Sequence, residues 1–242
     1  LGGWRVGLAA VGLLALACAV AFLVLLPRAR FFRPVPLDAR AMGRTVAGHL
    51  RNPLLLRLYG VGALFMTVFG AVYTVIGYRL TDEFSLGQGV IGSIFLIYLV
   101  GTASSAAAGG LVARTGRRGA LYLAVLTTAA GLLLSLSDAL AAIVAGLVLV
   151  TAGFFAGHAV ASAAVSRTAA EGRAQASALY QSAYYLGSSA GGTLGALAYH
   201  AAGWPATVAL ALAAVLGVVS ITLYGTRAAR LERRLPLASP TR

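Results

Sequence analysis

The sequence predicts an all-α polytopic membrane protein with seven transmembrane helices. Of its 242 residues, 60% are apolar and only 10% are charged, whereas soluble domains carry about a quarter charged residues. Seven apolar stretches are each long enough to cross a bilayer, which takes about 20 residues. Because backbone polar groups cannot remain unpaired in lipid, stretches of this length must be helical. Alternating patterns typical of barrel strands are not found in the sequence.

The first stretch begins almost at Leu1, which is not a methionine. It is too long for a signal peptide, and no small-residue cleavage site follows it. We therefore expect the numbered chain to be a fragment of a longer protein. The seven stretches cover approximately residues 6–27, 54–77, 89–112, 119–137, 139–162, 176–199 and 204–225.

A short basic turn between the third and fourth stretches determines the predicted topology. Arg114, Arg117 and Arg118 lie in this turn, and glycines such as Gly109 and Gly116 allow the backbone to bend sharply there. Arginine is retained on the cytoplasmic side of a bilayer. The 113–118 turn is therefore predicted to be cytoplasmic.

The remaining arginines agree with this orientation. The net charge of +13 comes from nineteen basic residues, all of them arginine. By alternation, seventeen of the nineteen arginines lie on the cytoplasmic side, and only Arg5 and Arg79 lie outside, the latter beside Asp82 and Glu83. Because the arginines separate apolar segments and do not cover one solvated face, we expect no nucleic-acid partner.

The predicted domains follow from the same pattern. Residues 1–27 form one transmembrane helix, and the polar, proline-containing stretch 28–53 forms a cytoplasmic linker with a short amphipathic helix over 38–50. Residues 54–225 form a six-helix bundle, and residues 226–242 form a basic cytoplasmic tail that places the C-terminus inside.

Small residues recur at four-residue spacing within several stretches. Such stripes let helix backbones approach closely in lipid. We favour helix packing over substrate contact for them, although the sequence leaves both possible. The stripes contain Gly101, Ser105 and Gly109; Gly153, Gly157 and Ala161; and Ala183, Gly187, Gly191 and Gly195.

The sequence offers little for an enzyme, a metal site or a cofactor. It contains no arrangement of nucleophile, base and acid, and no zinc-ligand or iron–sulfur spacing. No carboxylate lies deep within an apolar stretch, although such a group is the usual marker of a proton path. We expect neither catalysis nor a bound cofactor.

Polar and aromatic side chains inside the apolar stretches are the candidate substrate cavity. Gln181 and Tyr185 share one helical arc, with Tyr184 at its edge. Tyr73 and His158 lie in other stretches. Tyrosine suits a cavity for amphiphilic solutes, because it combines an apolar ring with a hydroxyl. Interhelical hydrogen bonding is the alternative for these residues, and packing is the alternative to proton transfer for His158.

The basic turn resembles a family signature. Gly109-Gly-Leu-Val-Ala-Arg-Thr-Gly-Arg-Arg118 is similar to the loop of the major facilitator superfamily, in which a glycine is followed by Asp-Arg-x-Gly-Arg-Arg. Gly109, Arg114, Gly116, Arg117 and Arg118 match it, and Ala113 stands in place of the aspartate. Gly3-Trp-Arg5, residues 72–79, 153–158 and 178–188 resemble the drug-efflux-like bacterial inner-membrane branch of the superfamily.

This resemblance implies helices six to twelve of a twelve-helix transporter, with residues 54–225 as its C-terminal bundle. It further implies a bacterial plasma membrane location, a small-molecule substrate, and alternating access with proton-coupled efflux. The partner of the bundle would be the N-terminal half of the same polypeptide, and the matched turn residues would form a gating loop. A seven-helix receptor or binding protein without transport activity remains the alternative.

Overall fold

The computed structural model describes residues 3–27 and 38–234, with side chains through residue 225. Every regular element in this part of the chain is helical, as the sequence predicts. The chain divides into two compact units, Leu1–Ala39 and Arg40–Arg242. The elements are α1 (Gly3–Leu25), α2 (Ala39–Arg51), α3 (Pro53–Phe84), α4 (Gln88–Ile94), a 3₁₀ turn (Phe95–Ile97), α5 (Tyr98–Leu134), α6 (Leu140–Thr168) and α7 (Arg173–Arg234).

The first unit consists of α1, which is long and apolar enough to cross a bilayer. It buries none of its residues within the unit, and large side chains such as Leu13 and Phe22 are more than 60% exposed. An apolar helix exposed all round is typical of lipid contact. The first ten residues of the predicted linker, 28–37, lie outside the described residues.

The second unit begins with α2, the amphipathic helix that the sequence predicts over 38–50. Its His49 side chain is buried, and Nε2 donates a hydrogen bond to the carbonyl oxygen of Gly172, 3.1 Å away. This contact fastens α2 to the connection between α6 and α7.

Helix α3 is longer than the predicted stretch 54–77. It begins after Asn52, whose side chain accepts hydrogen bonds from the backbone N–H groups of Leu54 and Leu55. It continues to Phe84 and ends where Ser85 adopts a left-handed conformation. The added length arises because Arg79, predicted to lie in an outer connection, is 3% exposed and bonded within the bundle.

Helix α5 contains two predicted transmembrane stretches that fold back on each other at Gly116. This residue has a φ of 71° and a ψ of 166°, outside the helical region. A Cβ on Gly101 would meet Phe155, and one on Gly153 would meet Thr128, so both halves of α5 reach the same level of α6. In a straight helix, residues 101 and 128 would lie about 40 Å apart. We call residues 98–115 and 117–134 the first and second arms of α5.

Helix α7 folds back in the same way at Ala202 and Gly203, which both lie outside the helical region. Cβ atoms on Gly187 and Gly217 would meet the neighbouring residues Ala63 and Leu64 of α3. A straight helix would separate residues 187 and 217 by about 45 Å. The first arm of α7 is 173–201, and the second is 204–234.

These two reversals explain why the sequence predicts seven transmembrane segments while the structure contains five continuous helical stretches of sufficient length among the described residues. Five helical stretches in the described residues are long and apolar enough to cross a bilayer, and two of them are hairpins. Divided at the reversals, they reproduce the seven predicted segments. Within the second unit, α3 packs mainly against α7, and α5 packs mainly against α6.

Successive contacts give the bundle two distinct ends. Asn52, Gly116, Gly172 and Gly225 lie at one end, which we call the arginine-rich end because Arg57, Arg117 and Arg118 converge there. The reversal of α7 and the turn after α5 lie at the opposite end, which holds Arg79 and Trp204.

Candidate functional site

A row of aromatic rings crosses the middle of the bundle. Phe69 of α3 stacks on Phe154 of α6 at a centroid distance of 4.1 Å and contacts Tyr73 at 4.4 Å. Tyr98, at the start of α5, lies 5.1 Å from Tyr73. His158 extends the row to Tyr184 of α7, 4.7 Å away. The aromatic row therefore joins four helices near mid-depth.

Two hydrogen bonds fix polar groups within the row. The Tyr73 hydroxyl lies 2.6 Å from the Thr151 hydroxyl on α6. The Tyr180 hydroxyl lies 3.0 Å from Nδ1 of His158. Tyr180 is only 2% exposed, so the bonded pair connects α6 and α7 inside the bundle. The row thus has an apolar wall with hydroxyl and imidazole groups held in defined positions.

One edge of the row is open. Tyr185 contacts Tyr184 edge-on at 5.4 Å and is 58% exposed. Gln181 is exposed on the same arm of α7. Of the predicted cavity residues, Tyr73, His158 and Tyr184 therefore lie in the row, Tyr185 lies at its edge, and Gln181 lies outside the ring contacts.

A cavity of about 280 Å³ opens beside Tyr73, at the end of the row farther from the arginine-rich end. Tyr73, Thr74, Gln88 and Phe95 line it together with aliphatic side chains of α3 and α4. The Phe95 ring contacts both Tyr73 and Tyr98. The cavity combines apolar walls with a few polar groups, which is the usual composition of a small-molecule site.

A second groove, of about 530 Å³, lies between the arms of α5 and α6. It is lined mostly by alanine, glycine and leucine, with Ser104, Arg114 and Thr127 as its polar residues. Its α6 residues, such as Gly153, lie on the helix face opposite Phe154 and His158. It is larger than the cavity beside Tyr73 but has fewer converging polar groups, so we place the candidate site at the aromatic row.

The predicted gating residues lie at the arginine-rich end. Gly109 and Arg114 are exposed on the first arm of α5, and Gly116 forms the reversal. Arg117 is half-buried, and Arg118 donates a hydrogen bond to the carbonyl oxygen of Gly225 on α7, 3.3 Å away. The turn is thus tied to another helix through Arg118, although Ala113 replaces the aspartate of the family pattern.

The predicted packing residues lie at helix contacts. A Cβ on Gly187, Gly191 or Gly195 would collide with the backbone of α3. Gly101 and Gly157 face Phe155 and Phe65, and Gly153 faces the second arm of α5. The Ser105 hydroxyl donates to the carbonyl oxygen of Phe155, 3.4 Å away.

Sequence reasoning missed one residue of the site and one cluster outside it. Thr151 is fully buried and positions Tyr73, but a threonine within an apolar stretch carries no distinctive signal. The cluster of Arg79, Ser135 and Trp204 was also missed. The one signal in the sequence for this cluster was the position of Arg79, only three residues after the apolar Ile76.

Comparison with known proteins identifies the family. A model of the Major Facilitator Superfamily matches residues 58–240, which is most of the chain. The chain belongs to the major facilitator superfamily. The match includes the basic turn and every helix of the bundle from α3 onward.

Similar superfamily proteins are found in several bacteria. The chain is 41% identical to an inner membrane transport protein, YnfM, of Escherichia coli K12 over 233 residues, covering 96% of this chain and 54% of that protein. It is 33% identical to an uncharacterized MFS-type transporter, YybF, of Bacillus subtilis over 229 residues, covering 94% and 57%. An uncharacterized transporter of Buchnera aphidicola subsp. Schizaphis graminum is 36% identical over 193 residues, which cover 79% of this chain and 47% of that protein. The chain thus spans about half the length of the curated relatives it matches.

Proposed function

We propose that this chain is the C-terminal portion of a secondary active transporter that exports a small amphiphilic solute. In this proposal, the second unit is one six-helix bundle, and the N-terminal half of the same polypeptide supplies the other. The aromatic row is the observation that carries the proposal. It lies at mid-depth, where superfamily-type folds place substrates between their two halves.

The chemistry of the row fits an amphiphile. The stacked rings of Phe69 and Phe154 offer flat apolar surface, while Tyr73, His158 and Tyr184 offer hydroxyl and imidazole groups. Aromatic pairs of this kind bind apolar ligand surface, and the few polar groups orient it. The open edge at Tyr185 faces the position that a second bundle would close.

The basic turn supports alternating access. Arg118 links the turn of α5 to the carbonyl oxygen of Gly225 on α7. A contact of this type lies within one bundle and holds the turn in position against α7 while the two bundles rock against each other. We assign Arg114, Arg117 and Arg118 to this gate, with the arginine-rich end cytoplasmic according to the positive-inside rule.

We also propose proton coupling and a bacterial plasma membrane location, with the C-terminus inside. His158 is the titratable side chain of the row, and its bond to Tyr180 gives it a defined position. The proton-binding carboxylate would belong to the other half of the protein. The names of the relatives favour transport over the alternative of a receptor.

Dye export from cells tests the proposal. The full-length protein is expressed in a host that lacks its own efflux pumps, and accumulation of cationic, neutral and anionic fluorescent amphiphiles is measured with and without a protonophore. We expect at least one dye to be exported, with export abolished by the protonophore and reduced by Phe154→Ala. Export that continues in the presence of the protonophore would contradict proton coupling. Export that is unaffected by Phe154→Ala would contradict the assignment of the aromatic row as the solute site.

A further inference from the structure

A small basic pocket lies at the arginine-rich end, away from the aromatic row. It has a volume of about 60 Å³ and lies where α3, the second arm of α5 and the second arm of α7 meet. Three arginines line it, one from α3 and two from the turn of α5. The lining includes Arg57, Arg117, Arg118, Leu121, Ile221 and Gly225.

Among the residues that the structure describes, no carboxylate lines this pocket or pairs with its arginines. Arg118 donates to the carbonyl oxygen of Gly225. The Arg57 guanidinium lies 5.0 Å from the centroid of the Tyr224 ring. Arg117 is half-buried, and the positive charges of Arg118 and Arg167 repel its own positive charge. A carbonyl dipole and an aromatic ring carry no net charge, so the pocket favours an anion with several oxygens.

The geometry of guanidinium groups indicates which anion. Arginine binds phosphate through paired N–H···O bonds, and such charge-assisted bonds are stronger than neutral ones. A volume of about 60 Å³ accommodates a phosphate group and little more. Any larger part of the ligand must therefore leave the pocket.

The surroundings favour a lipid as the source of that phosphate. Leu121 and Ile221 form the apolar wall, and the same two arms expose Leu126 and Leu216, each 64% exposed. Apolar side chains exposed on transmembrane helices face acyl chains. Basic pockets between transmembrane helices near a membrane surface bind the headgroups of anionic lipids.

We propose that Arg57, Arg117 and Arg118 bind the phosphate of an anionic phospholipid, whose acyl chains lie along the second arms of α5 and α7. The lipid connects α3, α5 and α7 at the end of the bundle that carries the gating turn. This site is separate from the solute site at the aromatic row.

Native mass spectrometry of the full-length protein tests this proposal. The protein is released from nanodiscs with equal amounts of phosphatidylglycerol and phosphatidylcholine, and the retained lipids are counted. We expect phosphatidylglycerol to be retained preferentially by the wild type. Arg57→Gln and Arg117→Gln should each lower its retention about tenfold, because each removes a charge-assisted hydrogen bond. Arg117→Lys keeps the positive charge but loses the paired N–H donors of the guanidinium. Its retention of phosphatidylglycerol should therefore lie between that of these variants and that of the wild type.

The control is Arg114→Gln, which removes the same charge from the same turn outside the pocket. It should retain phosphatidylglycerol as the wild type does, and thermal unfolding shows that each variant is folded. Equal retention of both lipids by the wild type would overturn the proposal, as would an equal loss in Arg114→Gln. Displacement of phosphatidylglycerol by millimolar inorganic phosphate would assign the pocket to a free anion and overturn the lipid proposal.

Discussion

Arg79 and Trp204 share one acceptor, the backbone carbonyl oxygen of Ser135. The indole Nε1 of Trp204 donates to it over 2.9 Å, and Nη1 of Arg79 also donates to it. The guanidinium lies 5.3 Å from the centroid of the indole ring and also bonds to Glu83 and to the carbonyl oxygen of Ser137. Helix α3, the turn after α5 and helix α7 are thus joined at the end opposite the basic turn at Gly116.

This cluster predicts a large loss of stability in Arg79→Met. The substitution leaves the two carbonyl oxygens and Glu83 without their buried cationic donor, so unfolding should become easier by about 2–3 kcal/mol. Trp204→Phe removes one donor, and the carbonyl oxygen keeps its bond to Arg79, so the loss should be about 1 kcal/mol. Thermal unfolding of the full-length protein in detergent measures both, with exposed Tyr78→Phe as the control. An Arg79→Met variant as stable as Tyr78→Phe would contradict this account.

Tyr73 and Thr151 predict a coupled effect on solute affinity. Tyr73→Phe removes the hydrogen bond that orients the ring in the aromatic row. One net hydrogen bond contributes about 1 kcal/mol, so the solute concentration at half-maximal transport should rise about fivefold. Thr151→Val should have a similar effect, and the double variant should be no worse than either single one, because all three lack the same bond. Additive effects would show that the two hydroxyls act independently.

Gly191 predicts a packing defect specific to the contact between α3 and α7. A Cβ there would collide with the carbonyl oxygen of Thr67, and backbone cannot move aside as a side chain can. Gly191→Ala should therefore lower the free energy of unfolding by about 1–3 kcal/mol. Gly43→Ala on α2 is the matched control, since a Cβ there meets nothing within 4 Å and alanine favours helix. If both variants have the same stability, the helices α3 and α7 do not approach each other as closely at Gly191 as the structure shows.

Arg117 and Arg118 predict a transport defect without an insertion defect. Changing both to alanine removes the bond from Arg118 to Gly225 and should slow transport while leaving the amount of membrane-inserted protein unchanged. Exposed Arg44→Ala on α2 is the control. Proteoliposomes with and without phosphatidylglycerol separate gating from lipid binding, because a gating defect persists in both. Normal transport by the double variant would remove the gating assignment.

The two ends of the bundle predict opposite accessibility in cells. Ala113 and Ala139 are both exposed, one near the Gly116 reversal and the other after the turn that follows α5. Each is changed to cysteine in a full-length protein in which Cys18 and any other cysteine are replaced by serine. A membrane-impermeant maleimide should label Ala139→Cys in intact cells and Ala113→Cys only after permeabilisation. The reverse pattern would place the arginine-rich end outside.

The helical membrane class and the approximate positions of all seven spans could be predicted from the sequence. This was possible because crossing a bilayer requires about 20 apolar residues and leaves the backbone no alternative to a helix. The glycines and arginines around Gly116 also predicted a turn there. Polar and aromatic groups are conspicuous within apolar stretches, so Tyr73, His158 and Tyr184 could be selected as candidates, and their role in solute binding stays a prediction. These predictions use only the residues of one segment, so they do not depend on how neighbouring helices are arranged.

The contacts between polar groups of different helices could not be predicted from the sequence. Arg79 looked like a residue of an outer connection, yet it is buried because carbonyl groups from a distant turn and the Trp204 ring surround it. Thr151 positions Tyr73 because α6 brings their hydroxyl groups within 2.6 Å of each other, and Gln181 is exposed although it shares a helix with Tyr184. Burial and hydrogen bonding between helices depend on how the helices are rotated and paired, and the pattern of a single helix does not contain that information.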